Sequence, residues 1–204
     1  MPHTNLSASI LLWLSLLGCA QKIAIPSDEA QAPRAAGAHA DTSPPASWVL
    51  IDSAQDSISV FREGKAPVVF HNIAVGAAGV KEKTKAGDDV TPRGTYAIGW
   101  FKHSNKFLHF IGLTYPSRED AERGYSTGII DRHTYERIVS ALDRGRLPPQ
   151  DTRLGGLIGI HGVGKGSIEI HRIANWTAGC IAVDNRQIQK LRKLLTIGMR
   201  VEIR

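Results

Sequence analysis

Seven short runs of β-branched and aromatic residues, separated by Gly- and polar-rich turns, set the strongest limit on how this chain folds. Residues 48–52 and 57–61 flank a polar turn and read as a hairpin. Residues 68–75 give a third strand ended by Gly76 and Gly79, and residues 94–100 and 107–113 give two more. Residues 157–160 form an apolar strand leading into His161, and residues 199–203 close the chain. Helical periodicity is confined to a few places. Residues 118–124 read as one helix and 133–144 as another, with Tyr135, Ile138, Val139 and Leu142 at helical spacing. Asp184 fits as an N-cap with Gln187 completing a capping box, Ile188, Leu191 and Leu195 line the apolar face that follows, and Gly198 marks a stop. The class is α+β, dominated by strands, with two or three helices.

The chain of 204 residues accommodates one catalytic-sized domain and a leader. The formal charge of +6 is spread from Arg62 to Arg204 rather than gathered in a basic block, so the charge pattern argues against a nucleic-acid partner. Eight histidines raise the question of metal, but His71, His103, His109 and His133 are scattered and no pair has zinc-site spacing, so no metal is expected.

The longest apolar run, residues 6–20, is shorter than the ~20 residues a membrane-spanning helix needs and suits the apolar region of an export signal. It ends Leu16-Leu17-Gly18-Cys19, which resembles a bacterial lipobox, although residues 1–5 carry no Lys or Arg. That resemblance implies a signal peptide over 1–19, lipidation at Cys19 and, with Ala20 next, an outer-membrane anchor facing the periplasm. Residues 20–46, rich in Ala, Pro, Ser, Asp and Thr, read as a flexible tether. The folded domain spans 47–204 and is expected to be monomeric.

With Cys19 set aside, Cys180 is the only thiol of the folded domain. A thiol is a nucleophile as thiolate, and a neighbouring imidazole is the usual means of generating one near neutral pH. His161 precedes Gly162, and Cys180 follows Gly179, where a tight turn lets main-chain N–H groups converge on an oxyanion. A Cys and a His alone are weak evidence, since a buried structural Cys is common.

The arrangement His161-Gly162, a spacer through Trp176, then Thr177-Ala178-Gly179-Cys180 resembles the active-site signature of the L,D-transpeptidase (YkuD-like) family. Residues 87–96 resemble that family's Thr-Pro-x-Gly-x-aromatic segment. Residues 113–116 and 151–161 resemble a branch with a helical insertion before the His-Gly motif, here 117–149. The resemblance implies a YkuD-like β-sandwich over 47–204 that needs no cofactor. It implies Cys180 as nucleophile, His161 as general base, and Gly162 holding the imidazole through its carbonyl. The amides of Gly179 and Cys180 would form the oxyanion hole. The family's thiolate attacks the third residue of a peptidoglycan stem tetrapeptide, terminal D-alanine leaves, and the acyl group passes to an amine or to water. Two positions depart from the family pattern: Ala178 stands where a His is usual, and Ala182 where Arg or Asn is common. A substrate carboxylate then needs another cation, for which Arg93 and Arg172 are candidates, with Thr177, Trp176 and Tyr115 as further substrate contacts. His171 is an alternative base without a Gly partner. Three functions follow: transpeptidase, carboxypeptidase or hydrolase releasing wall-linked protein, and a non-catalytic peptidoglycan-binding lipoprotein.

Overall fold

Alternation explains the first hairpin in the computed structural model, which describes residues 46–204. The leader, Cys19 and residues 20–45 of the tether lie outside the described residues. In β1 (Ser47–Asp52) and β2 (Ser57–Arg62), Val49 faces Val60 and Ile51 faces Ile58, and all four are fully buried. A slip of one residue would move every one of them to the opposite face, so burial fixes the register. On the other face Trp48 stacks on Phe61 with ring centroids 4.4 Å apart.

β3 (Lys65–His71) extends the hairpin, and β10 (Arg200–Ile203) joins β1 in parallel through Val201 and Ile203. The short strands β4 (Val80–Lys81) and β5 (Thr91–Pro92) pair with each other. β6 (Gly94–Ser104) is the hinge of the architecture. Residues 94–97 pair with β10, while the rest pairs with β7 (Leu108–Leu113), and the register shifts between Ile98 and Trp100. A bulge within a long strand is how one strand serves two layers. β8 (Gly159–Gly162) and β9 (Ile181–Val183) complete the order β3-β2-β1-β10-β6-β7-β8-β9. The chain leaving β3 then crosses to the far end, where Ala74 and Ala182 exchange backbone hydrogen bonds of 3.0 and 2.7 Å. The ladder therefore returns on itself as the sandwich, around a core that includes Ile51, Ile98, Ile111, Ile160, Ile181 and Leu191.

Four helices decorate this sheet, giving a mixed α+β fold dominated by strands. α4 (Asn185–Leu194) carries the Asp184/Gln187 capping box and buries Ile188 and Leu191. It ends four residues before Gly198, which instead turns the chain into β10. α1 (Arg118–Ser126) and α2 (Arg132–Asp143) form the insertion and pack around their own cluster of Ala121, Ile130, Ile138 and Leu154. Asp120 ties α1 to the sheet: it accepts from the Ser117 N–H and the Tyr96 hydroxyl and pairs with Arg123. α3 (Ile168–Ile173), β4, β5 and β9 are too short to leave a periodic signal in the sequence. The third strand ends at His71, because Asn72 adopts a left-handed φ of 58°. Leu157 likewise stands outside β8, with φ 54° and 61% exposure.

Candidate active site

Two adjacent parallel strands bring the candidate residues together. His161 on β8 is opposite Ala182 on β9, and Ile160 is opposite Ile181. Cys180 immediately precedes β9, so the period of two sets its side chain on the same face as His161, as a diagonal neighbour. His161 is 2% exposed. Its Nδ1 lies 2.8 Å from the Gly162 carbonyl oxygen. A carbonyl only accepts, so Nδ1 carries the proton and Nε2 of the neutral ring keeps its lone pair. The ring is fixed by Phe107, with centroids 4.1 Å apart, and by the edge of Trp176 at 5.8 Å.

The turn that presents Cys180 is clamped by two buried threonines. Thr177 Oγ1 donates to the Cys180 carbonyl at 2.6 Å and accepts the Gly179 N–H at 3.2 Å. Thr91 Oγ1, fully buried, donates to the Gly179 carbonyl at 2.9 Å and accepts the Gly76 N–H at 2.8 Å. Gly179 has φ 124°, and a Cβ there would lie 2.7 Å from the Val90 carbonyl oxygen, so both backbone and space require glycine. These contacts correct two expectations. Thr177 holds the turn instead of facing a peptide, and the Gly179 N–H is engaged inside the turn. Thr91 helps to clamp the Cys180 turn although the sequence marks it only as part of a family segment. Thr91→Val strips the Gly179 carbonyl and the Gly76 N–H of a buried partner. It is expected to lower stability by about 1–3 kcal/mol, read by urea denaturation, and to slow Cys180 chemistry in the folded fraction.

Cys180 Sγ donates to the Leu157 carbonyl at 3.4 Å, and no hydrogen bond joins it to His161 among the described residues. Burial pushes its thiol pKa up, against the opposing pull of the Gly159 N–H and of Lys83. Burial also pushes the His161 imidazole down, despite the Gly162 carbonyl. Both shifts favour a resting thiol beside a neutral imidazole, the forms that the expected general-base arrangement starts from.

Cys180 opens on a cavity of about 550 Å³ walled by Trp100, Phe107 and Phe110. Glycines let these rings settle onto the sheet: a Cβ on Gly112 would meet the Trp100 ring at 2.1 Å, and one on Gly159 the Phe110 ring at 2.7 Å. Leu147 and Gln150, at the end of the insertion, also line the cavity. The insertion therefore reaches the site with its last residues, while its helices pack on their own cluster.

Other expected contacts lie elsewhere. Tyr115 is fully buried with its hydroxyl donating to the Leu154 carbonyl at 2.9 Å, so it has no surface for a peptide. Neither Arg93 nor Arg172 lines the Cys180 cavity: the Arg93 guanidinium donates to the Val80 carbonyl, and Arg172 borders two other cavities. The cation that does line it is Lys102. Trp176 is half-buried, and its indole N–H lies 3.4 Å from His171 Nδ1, so His171 supports Trp176 and does not reach Cys180. No cluster of three or more metal-ligating side chains exists among the described residues.

A glycine-presented thiol and a carbonyl-held imidazole thus sit on adjoining strands. A family model described as the L,D-transpeptidase catalytic domain matches residues 46–203, and the chain belongs to that family. Among solved structures, the helical cell shape determining protein Pgp2 from Campylobacter jejuni is similar at 20% identity and a TM-score of 0.50, over 78% of this chain and 47% of that one. A point variant of the same protein gives a TM-score of 0.52 at 20% identity, over 78% of this chain and 46% of that one. An L,D-transpeptidase from Mycobacterium smegmatis is 12% identical with a TM-score of 0.44, over 78% of this chain and 58% of that one. This chain spans less than two thirds of the length of these neighbours, and the likeness to Pgp2 shows a shared fold. No curated protein matches the sequence.

Proposed function

We propose that this protein is a peptidoglycan L,D-transpeptidase that works through a thioester on Cys180. One observation carries the reading: the β8–β9 register places His161 and Cys180 on one face, with Nδ1 of the imidazole held by the Gly162 carbonyl. The thiol turns from the Leu157 carbonyl, Nε2 takes its proton, and sulfur attacks the carbonyl of the third stem residue. The Cys180 amide is the member of the expected oxyanion pair that the turn does not consume. As the tetrahedral adduct collapses, the imidazolium returns its proton to the departing amine of D-alanine. An acceptor amine then attacks the thioester, gives a proton to Nε2, and expels the thiolate, which is reprotonated. The aromatic wall gives the thioester an apolar surrounding.

The rest of the proposal follows from the leader: a monomeric lipoprotein anchored through Cys19 and acting on stem peptides in the periplasm. Among the described residues, no helix is long and apolar enough to cross a membrane. Purified protein incubated with defined tetrapeptide muropeptides, with and without an acceptor amine, tests the reaction by product mass. A cross-linked product supports transpeptidation. Tripeptide and free D-alanine alone identify a carboxypeptidase, and unchanged muropeptides contradict both.

The neutral pair predicts a pH profile. His161 must be unprotonated to act, and its folded pKa lies below the ordinary 6.5. The acid limb of kcat/KM is therefore expected below pH 6.5, and a limb at or above that value contradicts the burial argument. Stability follows the same sign. The unfolded His161 binds a proton more readily than the folded one, so its contribution is complete above 6.5 and is lost as pH falls through the folded pKa.

A further inference from the structure

The row of residues that crosses the sheet at the level of the imidazole ends in a cation. Lys102 on β6 is opposite Phe110 on β7, and Phe110 is opposite His161 on β8. Register partners share a face, so Lys102, Phe110 and His161 project to one side, with the Lys102 backbone two strands, about 10 Å, from that of His161. Two residues along each strand, and so on the same face, Trp100 faces Gly112 and Gly112 faces Gly159. With no side chains at Gly112 and Gly159, the rings of Trp100 and Phe110 pack down onto the sheet there, and both rings line the cavity that Lys102 and Cys180 share.

No acidic side chain lines this cavity, and no salt bridge engages Lys102 among the described residues. The aliphatic stem of a lysine lies along apolar surface while its ammonium seeks an anion. We infer that Lys102 is a specificity residue that binds a carboxylate of the donor peptide while the aromatic lining of the cavity holds the peptide's apolar part. The inference rests on the proposed use of this site for stem peptides. Two carboxylates share the required chemistry: the C-terminal one of the fourth residue and the side-chain one of a diamino-acid third residue.

Binding and turnover are measured separately, so the two readings fail separately. In the Cys180→Ala background, calorimetry compares the protein retaining Lys102 with its Lys102→Met variant. The ligands are a free tetrapeptide, its C-terminal amide, and its third-residue side-chain amide. Lys102→Met is expected to weaken the free peptide roughly tenfold. One of the two amides should weaken binding to the Lys102 protein equally and bind the Lys102→Met variant no worse than the free peptide does. That amide identifies the carboxylate. Equal affinities of the two proteins for the free peptide, an identical loss for all three ligands, or no binding to the Lys102 protein would each overturn the inference. Turnover of the same peptides by the protein with Cys180 intact decides the acyl-transfer reading independently.

Discussion

Cys180→Ala is expected to abolish release of terminal D-alanine from a tetrapeptide stem. With the nucleophile gone there is no thioester route, and losses on the order of 10⁴–10⁶-fold accompany removal of a catalytic nucleophile. The fold should survive. Cys180 is half-buried, is not part of a disulfide, and its one side-chain hydrogen bond is a weak thiol contact to the Leu157 carbonyl. Stability is expected to change by about 1 kcal/mol or less. Chromatographic quantitation of D-alanine, alongside a thermal melt of the same preparation, checks both halves. A variant that melts normally and still releases D-alanine contradicts the assignment. A non-catalytic wall-binding protein predicts instead that Cys180→Ala leaves muropeptide composition unchanged.

His161→Gln is expected to cost about 10²–10⁴-fold in kcat, the usual contribution of a positioned general base. Glutamine keeps a donor for the Gly162 carbonyl but cannot take the thiol proton at working pH. The variant should also lose the acid limb of the pH profile, because that limb is the titration of this imidazole. Retention of the limb would transfer the role to another group. His171 is the other buried imidazole nearby, and it lies against Trp176. A thermal melt must accompany the kinetics, since the ring packs against Phe107 and Trp176.

Much of the fold is legible in the sequence because alternation survives wherever one face of a strand is buried. Val49, Ile51, Ile58 and Val60 announce their hairpin in that way, and the Asp184/Gln187 capping box announces α4. The candidate nucleophile and its candidate base are legible too, since His161-Gly162 and Gly179-Cys180 are local motifs. What was not legible depends on register. Lys102 lies beyond the strand read over 94–100 and carries no signal until β6 extends to Ser104 and the Lys102–Phe110–His161 row is laid out across three strands. Thr91 reads as part of a turn until its hydroxyl is found between Gly76 and Gly179. Tyr115 looks like an aromatic available to a ligand, but it lies in the main core and the Leu154 carbonyl takes its hydroxyl. The protonation state of the pair was also hidden, because it depends on burial, which no spacing of Cys and His reveals.

Intact-protein mass after brief exposure to a tetrapeptide donor, with acceptor amine withheld, is the most direct probe of the chemistry at the β8–β9 junction. The protein is predicted to gain the mass of the donor less D-alanine, with the adduct mapping to the peptide that contains Cys180. Consumption of the donor with no adduct on Cys180 at any time, or an adduct on a different residue, would contradict the account.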